Sequence, residues 1–389
     1  MSERLRIAIV VHDYHRHGGH SRYAVELASR YRRDHDVHVF TNTVDDPDTA
    51  GITFHHIPAW SANSLTRILS FVPPATAMAR GAFDVIHSQG LCGLHHDLAT
   101  AHLCQAAWYE ALAREGVRFS WRQRVWKRLV TPLERRALCQ PRTRRVIAVS
   151  GLVRRNLAEF YGRDRGVEVI HHGTDVDRFH PDNRGRYRKT VRESVGVSDD
   201  RFVALFVGDP KKGAAAAVRA VARTPGVTLL VLSPAPPEPY RAEAERAGVA
   251  DRVIFHPHSK HVEQFFAAAD AFVFPTVYDS FGLVITEAMA SGLPVVTSPA
   301  AGAAELITGG TDGLLTDRAW DAGAIARHLA RLRDDPGLRD RMGAAARARV
   351  EPLTWDRTAE QTLAVYRAAA AGRRGRAGPD AAERGPRTT

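Results

Sequence analysis

Cysteine is scarce: Cys92, Cys104 and Cys139 are the only three, and none stands in CxxC spacing, so neither a disulfide framework nor a zinc knuckle is supported and a reducing cytoplasm is the expected compartment. No apolar run approaches the ~18 residues of a membrane span. The stretch after Met1 is apolar only from Ile7 to Val11 and lacks a signal-peptide cleavage site, so export is not expected. The dinucleotide fingerprint GxGxxG is absent, which argues against hydride transfer, and no HExxH-type spacing offers a metal site. Gly (30) and Pro (21) are too few for a low-complexity or collagen-like chain. Negative charge is in deficit, 43 Asp and Glu against 54 Lys and Arg, and the net +11 favours an anionic partner: nucleic acid, a phosphorylated substrate or an acidic membrane.

What is present is a repeating rhythm. Short β-branched runs at Ile7 to Val11, Val37 to Phe40, Val85 to His87 and Val146 to Val149 alternate with helical segments. The second half repeats the pattern with Val203 to Val207, Val227 to Leu232, Val253 to Phe255, Ala271 to Phe274 and Val295 to Thr297. Such alternation predicts an α/β chain with two doubly wound parallel sheets. At ~100 to 200 residues per domain, 389 residues suit two. The break is expected near Val169 to Pro181, giving an N-terminal domain over residues 1–170 and a C-terminal domain over 171–354. Trp355, Ala359, Leu363 and Tyr366 mark one buried face of a terminal helix over 355–370. Residues 371–389, mostly Arg, Gly, Ala and Pro, read as a disordered tail. Open parallel sheets bind ligands outside the carboxyl ends of their strands, so the site is expected in the interdomain cleft.

Several segments carry candidate chemistry. Gly18 and Gly19 lie between the first strand and a helix whose Tyr23, Leu27 and Tyr31 share a face; the pair suits either a plain tight turn or close approach of backbone amides to an anion. His12, His15, His17 and His20 crowd that loop, yet their spacing does not favour a metal, and none is expected. Asp46-Pro-Asp48 has the form of a DxD element but reads as a solvated turn. Lys211 and Lys212 follow a strand end; two adjacent lysines among only five, against 49 arginines, suit a diphosphate. The sharpest signal runs from Asp279 to Val296. It has a loop acid at Asp279, a turn at Gly282 and Glu287 one turn inside a helix that stops at Gly292 and Pro294. Carboxylates accept hydrogen bonds from hydroxyls, and helix N-terminal amides at Phe281, Gly282 and Leu283 attract phosphates, so the segment suits a ligand carrying both. His102 ends a short apolar run and can exchange protons near neutrality, although a lone His is usually structural. Arg114 to Arg145 holds eleven basic residues against Glu115 and Glu134. Its stripe Val125, Trp126, Leu129 and Val130 suits an anionic membrane or internal packing, and Thr131 to Glu134 reads as a capping box opening a new helix.

Taken together these residues resemble the retaining nucleotide-sugar glycosyltransferases of family 4, over roughly Arg6 to Tyr366. The resemblance rests on the Gly18-Gly19 loop, the segment His172 to Pro181 at the family's Asn-Gly-Val-Asp linker, Lys211-Lys212-Gly213, and the acids Asp279 and Glu287. Phe83 to Arg124, with its Ala-His-Leu-Cys element, is similar to the lipopolysaccharide-core glucosyltransferase branch, where a basic aromatic region serves peripheral membrane docking. The resemblance implies the GT-B fold of two facing Rossmann-like domains, with the final helix crossing back onto the first. It implies a nucleoside diphosphate sugar, UDP-linked by preference, as donor and a hydroxyl on a lipid, glycan or secondary metabolite as acceptor. Catalytic roles fall on His102 and Asp279, and donor binding on Gly18, Gly19, Lys211, Lys212, Ser280, Phe281, Gly282, Leu283 and Glu287. No cofactor and no nucleic acid partner is expected. Three positions depart from the pattern: Asp279 for the usual Glu, Lys211 for a common Arg and His172 for the usual Asn. An epimerase or phosphorylase on the same architecture, or a basic nucleic-acid-binding protein, are the alternatives.

Overall fold

The computed structural model describes residues 3–16, 18–60 and 63–374. In chain order the strands are β1 (Arg6–Val10), β2 (Asp13–His15), β3 (Asp36–Thr41), β4 (Thr43–Asp45), β5 (Ile52–His56), β6 (Val85–Gln89), β7 (Leu98–Ala101), β8 (Arg145–Ala148) and β9 (Val167–Val169), then β10 (Phe202–Val207), β11 (Val227–Ser233), β12 (Val253–Pro257), β13 (Ala271–Phe274), β14 (Val295–Thr297) and β15 (Leu314–Leu315). Seven form one sheet, in the order β5-β3-β1-β6-β7-β8-β9, and six form another, β12-β11-β10-β13-β14-β15; β2 and β4 pair separately. Every pairing is parallel.

The central strands are apolar along their length because both faces are covered. Ile7 and Ile9 pack against Tyr23, Tyr31 and Tyr366 on one side, while Ala8 and Val10 pack against Phe40, Phe71 and Ile86 on the other. In the second sheet all six residues of β10 are buried. Each sheet reverses direction beside its first strand, between β1 and β6 and between β10 and β13. These are the topological switch points at which doubly wound sheets take ligands.

The last helix, Trp355–Arg374, returns to the first sheet. Tyr366 bonds His87 Nδ1 at 2.6 Å, the Tyr31 hydroxyl donates to Ala359 O at 2.7 Å, and Tyr23 bonds Thr362 at 3.1 Å. Its buried face is Trp355, Thr358, Ala359, Thr362, Val365 and Tyr366, with Leu363 only half-buried at the margin. Of the expected tail, residues 371–374 continue this helix and 375–389 lie outside the described residues, as does His17. Gly173 makes the crossing possible: a Cβ there would meet the Trp355 backbone nitrogen at 2.3 Å.

Two sequence expectations are corrected. Thr131 to Glu134 opens no new helix, because Trp121–Cys139 runs through Pro132 and its capping box is Ser120 with Gln123. Buried Val130, Ala137 and Leu138 carry the helix past the backbone bond that Pro132 cannot make. Glu134 instead accepts from the Gln105 amide at 2.8 Å and the Tyr161 hydroxyl at 2.5 Å, and burial pushes its carboxyl up to about 7. Asp46 is not solvated: its buried carboxylate pairs with Arg16 at 2.8 Å, while Asp48 pairs with Arg32 at the surface.

Candidate active site

A cleft of about 1160 Å³ opens between the two sheets and is lined by the loops that leave β1, β6, β7, β10 and β13. The sheets are joined beside it by interdomain bonds: Ser150 Oγ to Ser280 O at 2.6 Å, Asn156 Nδ2 to Tyr278 at 3.2 Å and Gly151 N to Glu305 at 2.8 Å.

On the second-domain side, the chain leaves β13, turns at Gly282 with φ +91° and enters the helix Leu283–Ala290. An L side chain rarely adopts that φ, which accounts for glycine there. Asp279 Oδ1 accepts from the Phe281 amide at 3.2 Å, so this amide is already spent locally; those of Gly282 and Leu283 head the helix, where backbone donors have no intrahelical partner. Lys212 reaches Asp279 Oδ2 with its ammonium at 2.6 Å, uniting two of the expected residues. Lys211 is not brought to the site. It is exposed and absent from the cleft lining, while its amide donates to Asp209. Glu287, one turn further along the helix, is buried and meets Arg22 Nη1 at 3.2 Å. Burial raises its pKa, opposed by the Arg22 guanidinium.

The first domain supplies Gly18 and Gly19 at the start of the helix Gly19–Tyr31, with Gly19 so close to the second domain that a Cβ would lie 3.4 Å from Leu283. Beyond them lies a nest of histidines. His102 bonds Gln89 Oε1 through Nε2 at 2.8 Å, and its ring lies 4.8 Å from that of His20, 5.2 Å from Tyr23 and 5.5 Å from His172. Burial, with His20, His172 and His87 nearby, holds His102 neutral well below the usual histidine range. With Gln89 Oε1 as acceptor, His102 Nε2 is the donor and Nδ1 carries the lone pair. His102 Nδ1 has no partner among the described residues. Among them, no three His, Cys, Asp or Glu side chains are arranged to hold a metal.

Arg22, Arg178, His172 and Glu134 also line the cleft but were not singled out as site residues from sequence. Arg22 had a legible signal, since it stands three residues after Gly19 on the same helix. Arg178, which pairs with Glu263 at 2.7 Å, and Glu134 are brought in by tertiary packing that no local pattern reports.

Two family models divide the chain between them: Glycosyltransferase Family 4 matches residues 17–178 and Glycosyl transferases group 1 matches residues 188–349. The chain belongs to glycosyltransferase family 4. Among curated relatives, the D-inositol 3-phosphate glycosyltransferase of Streptomyces griseus is 35% identical over 262 residues, 60% of this chain and 55% of the relative. That of Acidothermus cellulolyticus is 37% identical over 242 residues, 57% of this chain and 52% of the relative. The chain thus spans about half the length of these relatives. Among solved structures, WaaG, a glycosyltransferase involved in lipopolysaccharide biosynthesis, superposes with TM-score 0.77 at 21% identity, covering 92% of this chain and 99% of WaaG. HepE of Anabaena, in complex with UDP and glucose, gives TM-score 0.72 at 20% identity over 94% of this chain and 100% of HepE. The fold of this family 4 chain is GT-B, two facing Rossmann-like domains.

Proposed function

We propose that the chain transfers a hexosyl group from a nucleoside diphosphate sugar, UDP-linked by preference, to a hydroxyl acceptor, with retention at the anomeric carbon and without a metal ion. The observation that carries this is that one cleft is lined by Lys212, by the head of the helix Leu283–Ala290 and by buried Glu287 one turn further along that helix. A cation beside free amides suits a diphosphate, and a buried carboxylate suits ribose hydroxyls. Asp279 and the Ser280–Leu283 loop then face the transferred sugar, with Gly18, Gly19 and neutral His102 opposite. On this reading residues 171–354 hold the donor, and residues 1–170 with the returning helix 355–370 present the acceptor beside His102. The named relatives make a polyol phosphate an acceptor to assay alongside lipid and glycan hydroxyls.

Nucleoside diphosphates should raise the melting temperature, since a ligand at about 100 times its dissociation constant stabilises by about 2.7 kcal/mol. Lys212 and Glu287 separate the two ends of the ligand. A hydrogen bond to a charged group contributes roughly 1.5 to 3 kcal/mol, so Lys212→Ala should weaken UDP about 10-fold to 150-fold and leave uridine unchanged, whereas Glu287→Ala should weaken both. Calorimetric titration checks this, and equal losses for uridine and UDP in Lys212→Ala would remove Lys212 from the phosphate end. Because Lys212 and the helix amides neutralise the diphosphate, UDP release from a UDP-sugar should persist in EDTA; loss rescued only by manganese or magnesium would contradict metal independence.

The reading extends to peripheral docking at the inner face of the membrane. The stripe on the helix Trp121–Cys139 divides: Val130 is buried and Trp126 half-buried, while Trp121, Val125 and Leu129 are exposed beside exposed Arg122, Arg124, Lys127 and Arg128. No helix among the described residues is long and apolar enough to cross a membrane. Exposed apolar side chains within a basic helix face suit an anionic lipid surface, each cation contributing about 1 kcal/mol near it. Neutralising the four cations together should abolish low-salt binding to phosphatidylserine vesicles; wild-type indifference to such vesicles would overturn the docking.

A further inference from the structure

The helix Gln105–Arg114 begins without a cap of its own: Cys104 precedes it and makes no side-chain capping bond. The leading amides of a helix have no intrahelical partner and need acceptors from elsewhere. Here three side chains distant in sequence supply them. The Gln105 amide donates to Glu134 Oε2 at 2.8 Å, the Ala106 amide to the Tyr161 hydroxyl at 3.4 Å and the Cys104 amide to the Tyr278 hydroxyl at 3.3 Å. Glu134 and Tyr161 belong to the first domain, as the helix does, but Tyr278 belongs to the second.

Tyr278 is therefore a bridge. Its side chain is buried, and its hydroxyl also accepts from Asn156 Nδ2 at 3.2 Å, so both donors come from the first domain. Its backbone is tied to the second: Tyr278 N donates to Thr276 Oγ1 at 3.3 Å, and Thr276 Oγ1 donates to Tyr278 O at 3.0 Å. The next residue is Asp279, whose amide donates to Ala300 O at 3.0 Å and whose carbonyl accepts from Gly302 N at 2.9 Å. At the other end of the bridge, Cys104 stands two residues after His102, on the short link between β7 and the helix. One hydroxyl thus joins the loop that carries Asp279 to the segment that carries His102. Tyr278 is absent from the cleft lining, so it acts on a ligand only through these neighbours. Phenylalanine would fill the same space but leave the Cys104 amide without its acceptor, and buried donors are almost always paired.

We propose that Tyr278 is a positioning residue whose hydroxyl sets Asp279 against His102 across the domain boundary. The inference rests on the reading of those two residues as facing one ligand, and the experiment separates the two. Wild type, Tyr278→Phe, Asn156→Ala and the double variant are compared by calorimetric UDP binding, by UDP release from UDP-glucose and by amide hydrogen exchange over residues 103–107. In Tyr278→Phe, exchange over that segment should accelerate about 10-fold or more as the Cys104 amide loses its acceptor. Its kcat should fall roughly 10-fold to 100-fold, the scale of a misplacement of about 1 Å, while KM and UDP affinity stay within about twofold. Asn156→Ala acts through the same hydroxyl, so the double variant should lose less than the product of the two single losses. Exchange unaltered in Tyr278→Phe, kcat unaltered despite faster exchange, or UDP weakened as much as kcat falls would each overturn the proposal. Where wild type binds UDP but does not turn over UDP-glucose, UDP-induced protection of residues 103–107 that is lost in Tyr278→Phe supports the bridge, and protection that persists overturns it. If wild type does not bind UDP, the donor-site reading itself fails and this inference with it.

Discussion

Replacing His102 by alanine should lower turnover about 100-fold to 10,000-fold, the span typical of a positioned proton-transfer group, while UDP affinity stays within about threefold. The half-buried imidazole lines the cleft, bonds Gln89 Oε1 through Nε2 at 2.8 Å and has no partner for Nδ1 among the described residues. Nothing in this arrangement touches the proposed diphosphate end at Lys212, which is why binding and turnover should part company. His102→Gln keeps polar atoms near Gln89 but no basic nitrogen, and should be nearly as slow as alanine. Turnover within about fivefold of wild type in both variants would return His102 to a structural role.

Acidification below about pH 6.5 should destabilise the chain steadily until it unfolds. Burial holds His12, His87 and His172 neutral down to about 3, and His96 down to about 4; burial also lowers His20 and His102. Because the folded values are depressed, the unfolded chain binds more protons below about pH 6.5, and stability present above that pH is lost as pH falls. Four histidines remove about 5 kcal/mol per pH unit once fully engaged. Glu134 opposes one of them, since a carboxyl raised to about 7 favours the folded state as pH falls from about 7 toward its unfolded value. The net loss of about 4 kcal/mol per unit removes most or all of a typical stability of 5 to 15 kcal/mol between about pH 6.5 and the depressed values near 3. Circular dichroism and tryptophan emission followed from about pH 7.5 to pH 3 test this. A transition that takes up no protons, or a melting temperature flat down to about pH 4.5, would show that these rings are not buried neutral.

The sheets were legible because their central strands are buried on both faces and therefore read as continuous apolar runs, as in Val203 to Val207. The strands that were missed lack that signature. Leu98–Ala101 is four residues with two alanines, Ile52–His56 is a half-exposed edge ending in two histidines, and Leu314–Leu315 is only two residues long. Within the site, Gly18, Gly19, Lys212 and the Asp279 to Glu287 segment were legible because strand-end turns and a helix N-terminus carry local chemistry. Arg22 on Glu287, the unpaired His172 and the inward Glu134 were not, since each depends on residues far away in sequence. Lys211 shows the converse: adjacency to Lys212 suggests a shared role, but one turn of 3-10 helix, Pro210–Lys212, directs only Lys212 into the cleft. The stripe from Val125 to Val130 could not be resolved from sequence because neighbouring positions on one helix serve two different surroundings.

The central claim, that the interdomain cleft is a nucleoside diphosphate site, is tested most directly by a crystal structure of the chain soaked with UDP. The expected density has its diphosphate against Lys212 Nζ and the Gly282 and Leu283 amides, and its ribose hydroxyls on Glu287, with Arg22 still alongside. UDP bound outside the cleft, or inside it with the ribose at Lys212 and the phosphates at Glu287, would contradict the account.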